Sequence, residues 1–174
     1  MCSVFTSTGC GRPWNMTPSR LARRADGHFD VDLPPEERSL LRSLPASMRL
    51  ALTEGTPADD PALARLNPKA YTDNDEFESE YRDLVGNDLD AGRLAALDTL
   101  EATADAPTLD EAQLQAWMRA INDTRLLLGT RLGVTEDHAG REVPDDHPDA
   151  QAIAVYDYLS WLEEQLVEAL SGAL

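Results

Sequence analysis

The feature that most constrains how this chain folds is an apolar stripe within residues 108–133. Thr108 and Glu111 form a capping-box pattern, in which two side chains satisfy free backbone N–H groups at the start of a helix. Gly133 stands where helices commonly end, because glycine adopts the left-handed conformation at little cost. Between these ends apolar side chains recur every three or four residues, at Leu114, Trp117, Met118, Ile121, Leu128 and Leu132. The sequence therefore predicts one amphipathic helix here.

A second stripe of the same kind lies near the C-terminus. It follows Pro148, and its members are Ala152, Val155, Leu159, Leu162, Leu166 and Ala169. The spacing predicts a long final helix. We expect its apolar face to pack, antiparallel or nearly so, against that of the 108–133 helix, because two such faces leave water by covering each other.

Three earlier segments complete the predicted fold. Residues 20–33 alternate polar and apolar side chains around an Asp-Gly turn signal, which is typical of a β-hairpin. Residues 35–53 carry a helical stripe that Pro45 is expected to kink or divide. We predict a mainly α protein, a single-domain helical bundle of five to six helices with a small N-terminal β-hairpin.

One segment leaves two readings open. Phe77, Tyr81 and Leu84 form another helical stripe, which Gly86 and Asn87 interrupt before the chain becomes apolar again. The sequence is compatible with two helices or with one bent helix as far as Ala104.

The length of 174 residues suits one domain with one core. Residues 1–15 show no period, so we predict a disordered leader or extended start there, followed by a helical domain over residues 16–174. Cys2 and Cys10 both fall within the leader and are too few for a disulfide framework or a four-cysteine zinc site.

The charge is far from balanced. The chain has 32 acidic and 15 basic residues and a net charge of −17. Such a surface repels phosphate backbones and anionic lipids, so it disfavours generic nucleic-acid or membrane binding and favours basic partners or simple solubility. No apolar run is long enough to span a membrane and no secretory signal is recognisable, so we expect a cytoplasmic protein.

The sequence contains no recognisable catalytic motif. It lacks a glycine-rich phosphate loop and a G-x-S-x-G motif, so we assign no catalytic residue and no cofactor. An acidic loop at 134–149 leaves a metal-dependent hydrolase as an alternative. Its ligand-type side chains are Glu136, Asp137, His138, Glu142, Asp145, Asp146, His147 and Asp149. They lack the spacing of known metal motifs, so we assign no metal.

Aromatic and arginine side chains are the candidates for a binding surface, because these types dominate binding hot spots. Trp161 lies off the centre of the last apolar stripe, so we expect an exposed patch formed by Tyr158 and Trp161, with Arg131 as a further candidate. The patch would dock another protein or a second copy of the chain.

Arg125 interrupts the apolar side of the 108–133 helix. A guanidinium in or beside an apolar stripe needs a carboxylate partner, because an unpaired charge there is costly. Asp98 and Asp157 each lie on or beside another apolar stripe. We therefore predict that Arg125 forms a structural ion pair with Asp98 or Asp157.

Several motifs together resemble an actinobacterial family, the domain of unknown function numbered twenty-seventeen, from about Arg20 to Leu170. They are EERSLLRSL, RLNPKAY, FESEYRDL, LAALDTL, WMRAINDTRLLLGTRLG and YDYLSWL. The resemblance implies a bacterial cytoplasmic protein, often encoded beside the ClpS adaptor of the Clp protease, with no established activity. No catalytic residue can be carried over.

We interpret the chain as a non-enzymatic acidic protein-interaction module. The resemblance adds an accessory or regulatory role in Clp-linked proteolysis, with a Clp component as the partner. A transcriptional regulator that uses the basic Arg20–Arg24 strand is a further alternative, although the overall charge disfavours direct DNA binding.

Overall fold

A computed structural model describes residues 19–56, 59–135, 144 and 146–172. This part of the chain contains, in order, β1 (Leu21–Arg23), β2 (Phe29–Val31), α1 (Pro35–Glu54), α2 (Pro61–Leu66), α3 (Asp75–Thr103), β3 (Thr108–Leu109), α4 (Glu111–Arg131) and α5 (Ala150–Ser171). The predicted mainly α bundle with an N-terminal hairpin is confirmed. The leader predicted at 1–15 lies outside the described residues.

A small antiparallel sheet caps the bundle near the start of the domain. β1 and β2 form the predicted hairpin, with Leu21 opposite Val31. Gly27 in the turn has a φ of 86°, which glycine adopts readily because it has no Cβ. β2 pairs on its other side with β3, where Phe29 lies opposite Leu109. Both of these side chains are fully buried, so the sheet is fixed to the helical core.

The start of α4 differs by two residues from the sequence prediction. Asp110 is the capping residue: its Oδ1 accepts from the Gln113 N–H at 2.8 Å, and its own N–H donates to Gln113 Oε1 at 2.9 Å. The expected box starting at Thr108 is wrong, because Thr108 and Leu109 are extended and pair with β2. Because Leu109 is buried in the sheet, the helix begins only after it.

α1 is a single helix, so of the two outcomes expected at Pro45, a kink or a division, the division is wrong. Proline removes one backbone hydrogen bond from a helix interior and crowds the preceding turn. Pro45 is buried here in the same face as Leu41, Leu44 and Met48. Burial of this face on both sides of the proline offsets its local cost, since apolar contact area outweighs helix propensity.

α3 is also a single helix and passes through Gly86 without interruption. This decides between the two readings that the sequence left open. The two halves of α3 have different surroundings. The C-terminal half packs against α1 and α4 and buries Ala96, Leu97 and Leu100. The N-terminal half extends past these contacts and leaves Leu84 mostly exposed.

α4 and α5 pack against each other as predicted. Gly129, late in α4, lies against Tyr156, early in α5, whereas Arg125 lies opposite Glu163. Position along α5 rises as position along α4 falls, so the two helices run antiparallel. Buried side chains of both helices form much of the core and include Leu114, Trp117, Ile121, Leu159, Leu162 and Leu166.

Gly129 shows how closely these two helices approach. A Cβ atom at this position would lie 2.8 Å from Cε2 of Tyr156, which is shorter than real contacts of this kind. The glycine costs helix stability, but it makes room for the aromatic ring on the neighbouring helix.

Candidate interaction surface

The patch predicted at Tyr158 and Trp161 is not exposed. The two residues are 3% and 9% exposed, and their ring centroids lie 5.9 Å apart. α5 packs against β1 as well as against α4, so a second side of the helix is covered. The expectation of an exposed patch is wrong for this reason. The apolar period predicted the face of α5 that packs on α4. It could not predict that a second side of α5 packs against β1.

Tyr158 instead belongs to a polar contact at the edge of the core. Its hydroxyl donates to Oε2 of Glu37 at 3.1 Å, and Oε1 of Glu37 accepts from Nη2 of Arg20 at 3.2 Å. Burial and the nearby Glu37 carboxylate raise the pKa of the Tyr158 hydroxyl, so it remains a hydrogen-bond donor. This contact joins α5, α1 and the residue before β1.

Arg131, the third interaction candidate, is half exposed and pairs with Asp60. Its Nη2 lies 2.9 Å from Oδ2 of Asp60, while Oδ1 of Asp60 accepts from the Ala62 N–H and caps α2. The guanidinium and the backbone N–H lower the pKa of Asp60. In the described residues Arg131 therefore fastens α2 to the end of α4.

Arg125 pairs with Glu163, which was not one of the two predicted partners. Nε of Arg125 lies 2.5 Å from Oε2 of Glu163. The prediction of Asp98 is wrong, because Asp98 lies 2.5 Å from Arg49 instead. Asp157 is at an exposed position of α5, nearer to the level of Gly129. The antiparallel packing determines which residue of α5 lies beside Arg125. The periodicity of one helix does not show how it is aligned with another.

A group of exposed apolar side chains lies together at the start of α3 and just before it. The exposed fractions are 46% for Tyr71, 52% for Phe77 and 77% for Leu84. Tyr81 is half-buried between them, and its ring centroid lies 6.1 Å from that of Tyr71. We call Tyr71, Phe77, Tyr81 and Leu84 the α3 stripe. Positions 77, 81 and 84 fall on one face of the helix because they are four and three residues apart.

Local hydrogen bonds hold the start of this surface in place. Asn74 caps α3, with Oδ1 accepting from the N–H groups of Glu76 and Phe77 at 3.0 and 3.1 Å. Oε2 of the buried Glu78 accepts from the N–H groups of Ala70 and Tyr71, both at 2.9 Å. These bonds fold the preceding segment against the helix and hold the Tyr71 ring beside Phe77, at 5.9 Å between centroids.

Arg93, just past the middle of α3, joins this helix to the rest of the molecule. Its side chain is 8% exposed and its Nε lies 3.0 Å from Oδ2 of Asp123 on α4. Nη1 lies 2.9 Å from Asp90 on α3, and Nη2 donates to the carbonyl of Leu66 at the end of α2 at 3.2 Å. Three helices therefore meet at one guanidinium, which presents the α3 stripe on a fixed support.

A row of acids runs beside the stripe. Glu76, Glu80 and Asp83 each precede a stripe residue by one position and share its spacing. All three are exposed, and within the described ranges none of them forms an ion pair. We call them the acidic row. Residues 73–90 as a whole contain eight acids and one base, so this end of α3 is strongly negative.

The chain matches a family model described as "Domain of unknown function (DUF2017)" over residues 16–170. It belongs to the DUF2017 family.

Similar proteins carry names that describe regulators. "Oxidative stress regulator AosR" of Mycobacterium tuberculosis (strain ATCC 25618 / H37Rv) and of Mycobacterium bovis are each 29% identical over 191 aligned positions, which cover 88% of this chain and 87% of theirs. "Putative oxidative stress regulator AosR" of Mycobacterium leprae is 37% identical over 129 positions, covering 64% of this chain and 59% of its own. No solved structure matches the chain. The names indicate a regulatory role among DUF2017 relatives.

A cleft of about 410 Å³ in this DUF2017 protein lies beside the Arg125–Glu163 pair. Its lining includes Ser160, Glu164 and Glu168. The Ser160 hydroxyl donates to the backbone carbonyl of Tyr156 at 2.9 Å, an arrangement common inside helices. The described lining residues therefore offer carboxylates and a hydrogen-bonded serine, without a base positioned to activate it.

The described part of the acidic loop is small. Nδ1 of His147 accepts from the Asp149 N–H at 3.1 Å, which closes a local turn. Among the described residues, no group of three or more His, Cys, Asp or Glu side chains is arranged to hold a metal ion. Most of the ligand-type residues predicted for the loop lie outside the described residues, so the metal-dependent alternative stays a prediction. In the described ranges, no helix has the length and apolar character needed to cross a bilayer.

The sequence predicted a helical stripe at Phe77, Tyr81 and Leu84 but not that it stays exposed. Periodicity shows that one face of a helix is apolar and does not show what covers it. A second signal was available in the acidic row, since acids directly beside an apolar stripe keep that edge in water.

Proposed function

We propose that this protein is a non-enzymatic regulator that acts in a response to oxidative stress by binding another protein through the α3 stripe. The cellular context rests on the names of the relatives, and the mode of action rests on this surface. A regulator without its own chemistry must act by changing the availability or activity of something it binds.

The exposed α3 stripe carries the proposal. Large apolar side chains that lie together in water mark interaction sites in monomeric proteins more often than scattered ones do. Tyrosine and phenylalanine supply contact area at a small entropic cost, and this composition matches known interface cores. The stripe also stands on a capped helix tied to the core, so a partner would meet a pre-ordered surface.

Charge favours a protein partner over DNA. The chain has a net charge of −17, so a phosphate backbone would repel it. The basic strand, the feature behind the transcriptional alternative, is largely used within the molecule. Arg20 pairs with Glu37, Arg24 lies 3.5 Å from Asp30, and Arg23 donates to the carbonyl of Gly172. Regulation through a bound protein therefore fits better than direct DNA binding.

The Clp-linked context inferred from the sequence has less support. It depends on the neighbourhood implied by the family resemblance, whereas the relatives' names refer to oxidative stress. We therefore place the regulator in the oxidative-stress context and treat a Clp component as one partner that the experiment would identify.

The test combines genetics with crosslinking in living cells. A strain lacking the gene would be complemented with the wild type, with F77S/L84S, or with L50S, whose leucine is equally apolar and 55% exposed on α1. We expect the wild type and L50S to restore growth in hydrogen peroxide and F77S/L84S to fail while folded. A photo-crosslinking amino acid at position 84 should capture a protein, and the same group at position 50 should not. Full complementation by F77S/L84S with no adduct at position 84 would refute the proposal.

A further inference from the structure

We propose that the element of the partner that lies on the α3 stripe is an amphipathic helix with a row of Lys or Arg along one flank of its apolar face. This inference rests on the proposed function, because it specifies the chemistry of what binds the same surface. It is argued from the spacing of the stripe and from the distribution of charge on its two sides.

The shape of the stripe favours a helical occupant. Phe77, Tyr81 and Leu84 form a convex row about 10 Å long on a helix surface. The side chains of a second helix at spacings of three and four residues fit between such a row by ridges-into-grooves packing. α3 offers no free backbone groups for strand addition, because those in a helix interior are already bonded to one another.

The acidic row determines the charge of the occupant. Glu76, Glu80 and Asp83 lie about 100° around the helix from the stripe residues that follow them. They form a parallel line on one side of the stripe, are exposed, and form no ion pair within the described residues. Cationic side chains along the matching flank of a bound helix would meet them, as flanking charges do in paired helices.

The opposite side of the stripe is already neutralised. Oε1 of Glu78 accepts from Nε of Arg82 at 2.6 Å, and its other oxygen accepts backbone N–H groups. These hydrogen bonds and the Arg82 charge lower the pKa of Glu78. Because the carboxylate is already paired within the chain, a cation on the partner is not required to stabilise it. The partner therefore needs its basic row on one flank only, which also fixes its orientation around its own axis.

Charge argues against a second copy as the occupant. Two α3 stripes packed face to face would bring two acidic rows into the same interface. Like charges brought close together across an interface repel each other, so this arrangement is disfavoured. The same repulsion applies to a nucleic acid or an anionic bilayer.

The test uses the full chain and two synthetic helical peptides. The first peptide has leucines at spacings of four and three residues and a lysine row on one flank. The second is identical except that glutamates replace the lysines. We expect the wild type to bind the lysine peptide at least about tenfold more tightly than its twin, with affinity falling as salt rises. L84S should weaken binding of the lysine peptide, whereas L50S should not.

Two matched charge reversals separate the acidic row from net charge. E76K/E80K/D83K reverses the row, and E54K/E164K/E168K makes the same change of net charge at exposed acids elsewhere. We expect the first variant to prefer the glutamate peptide and the second to keep the wild-type preference. Equal behaviour of the two variants would overturn the inference, because only net charge would then matter.

The remaining outcomes distinguish the two proposals. If position 84 captures a protein in cells while the wild type shows no preference between the peptides, the basic helix is refuted and the proposed function stands. If no protein is captured there and F77S/L84S complements fully, the proposed function fails. A wild-type dimer in sedimentation that dissociates in L84S would assign the stripe to a second copy and overturn the inference.

Discussion

Nε of Arg125 lies 2.5 Å from Oε2 of Glu163, and this contact joins α4 to α5. Both atoms are buried, and neither has a hydrogen-bond partner elsewhere in the described residues. Burial raises the pKa of Glu163, while the Arg125 charge acts in the opposite direction. Each buried charge is therefore stabilised mainly by the other.

R125M should lower the free energy of unfolding by about 1–3 kcal/mol, because it leaves a partly buried carboxylate without its cation. The folded-state pKa of Glu163 is raised, so this loss should grow as pH rises through that pKa and shrink in acid, where the carboxyl is neutral. Urea denaturation at several pH values measures it. R125M/E163M removes both charges and should recover most of the loss; a double variant as unstable as the two singles combined would contradict the pair.

G129A should destabilise the protein by about 1–3 kcal/mol, because the new methyl group would overlap the Tyr156 ring. G86A is the matched control, since a Cβ there meets no atom within 4 Å. It should stabilise α3 by about 0.5–1 kcal/mol through better helix propensity. Thermal melts of both variants test this, and a stabilising G129A would show that the two helices are not so closely packed.

R93A should be among the more damaging single substitutions, lowering the free energy of unfolding by about 3 kcal/mol or more. It leaves the Asp123 carboxylate, itself 14% exposed, without its cation and removes the link between three helices. R42A breaks an exposed pair with Asp105 and should cost about 0.5 kcal/mol or less. Denaturation curves should separate the two clearly; equal losses would mean that burial does not distinguish these pairs.

Glu78 should make stability depend on acidity. Backbone N–H groups and Arg82 hold its pKa below the ordinary value of 4.5, so its contribution is complete above that value and is lost as pH falls through the lower folded-state pKa. E78Q should therefore lose more stability at neutral pH than at pH values below the folded-state pKa. E80Q, at an exposed position of the same helix, should behave like the wild type at both. A pH-independent effect of E78Q would refute this assignment.

The sequence predicted those elements whose signals are local. The stripes around Trp117 and Leu159 located α4 and α5, and the Asp-Gly turn located the hairpin. The start of α4 was wrong because Leu109 pairs with Phe29, about eighty residues earlier, and a two-residue strand has no period of its own. The expected division of α1 failed because burial around Pro45 outweighs its local preference.

The candidate surface was harder to predict than the fold. Both the α5 flank at Trp161 and the stripe at Phe77 are apolar in sequence, and only the packing of the helices shows which is covered. α5 contacts β1 as well as α4, and Trp161 is buried, whereas Phe77 stays exposed on α3. The Arg125 partner was missed for a related reason, since the choice between Asp157 and Glu163 depends on interhelical register.

The division of α3 into a packed half and an overhanging half has a consequence for how the protein evolves. Substitutions at Phe77 or Leu84 change no contact of Leu97 or Leu100, so they leave the bundle intact. Mutation can therefore retune partner choice in one half of the helix while selection for folding preserves the other. Relatives could in this way share an architecture and yet serve different binding partners.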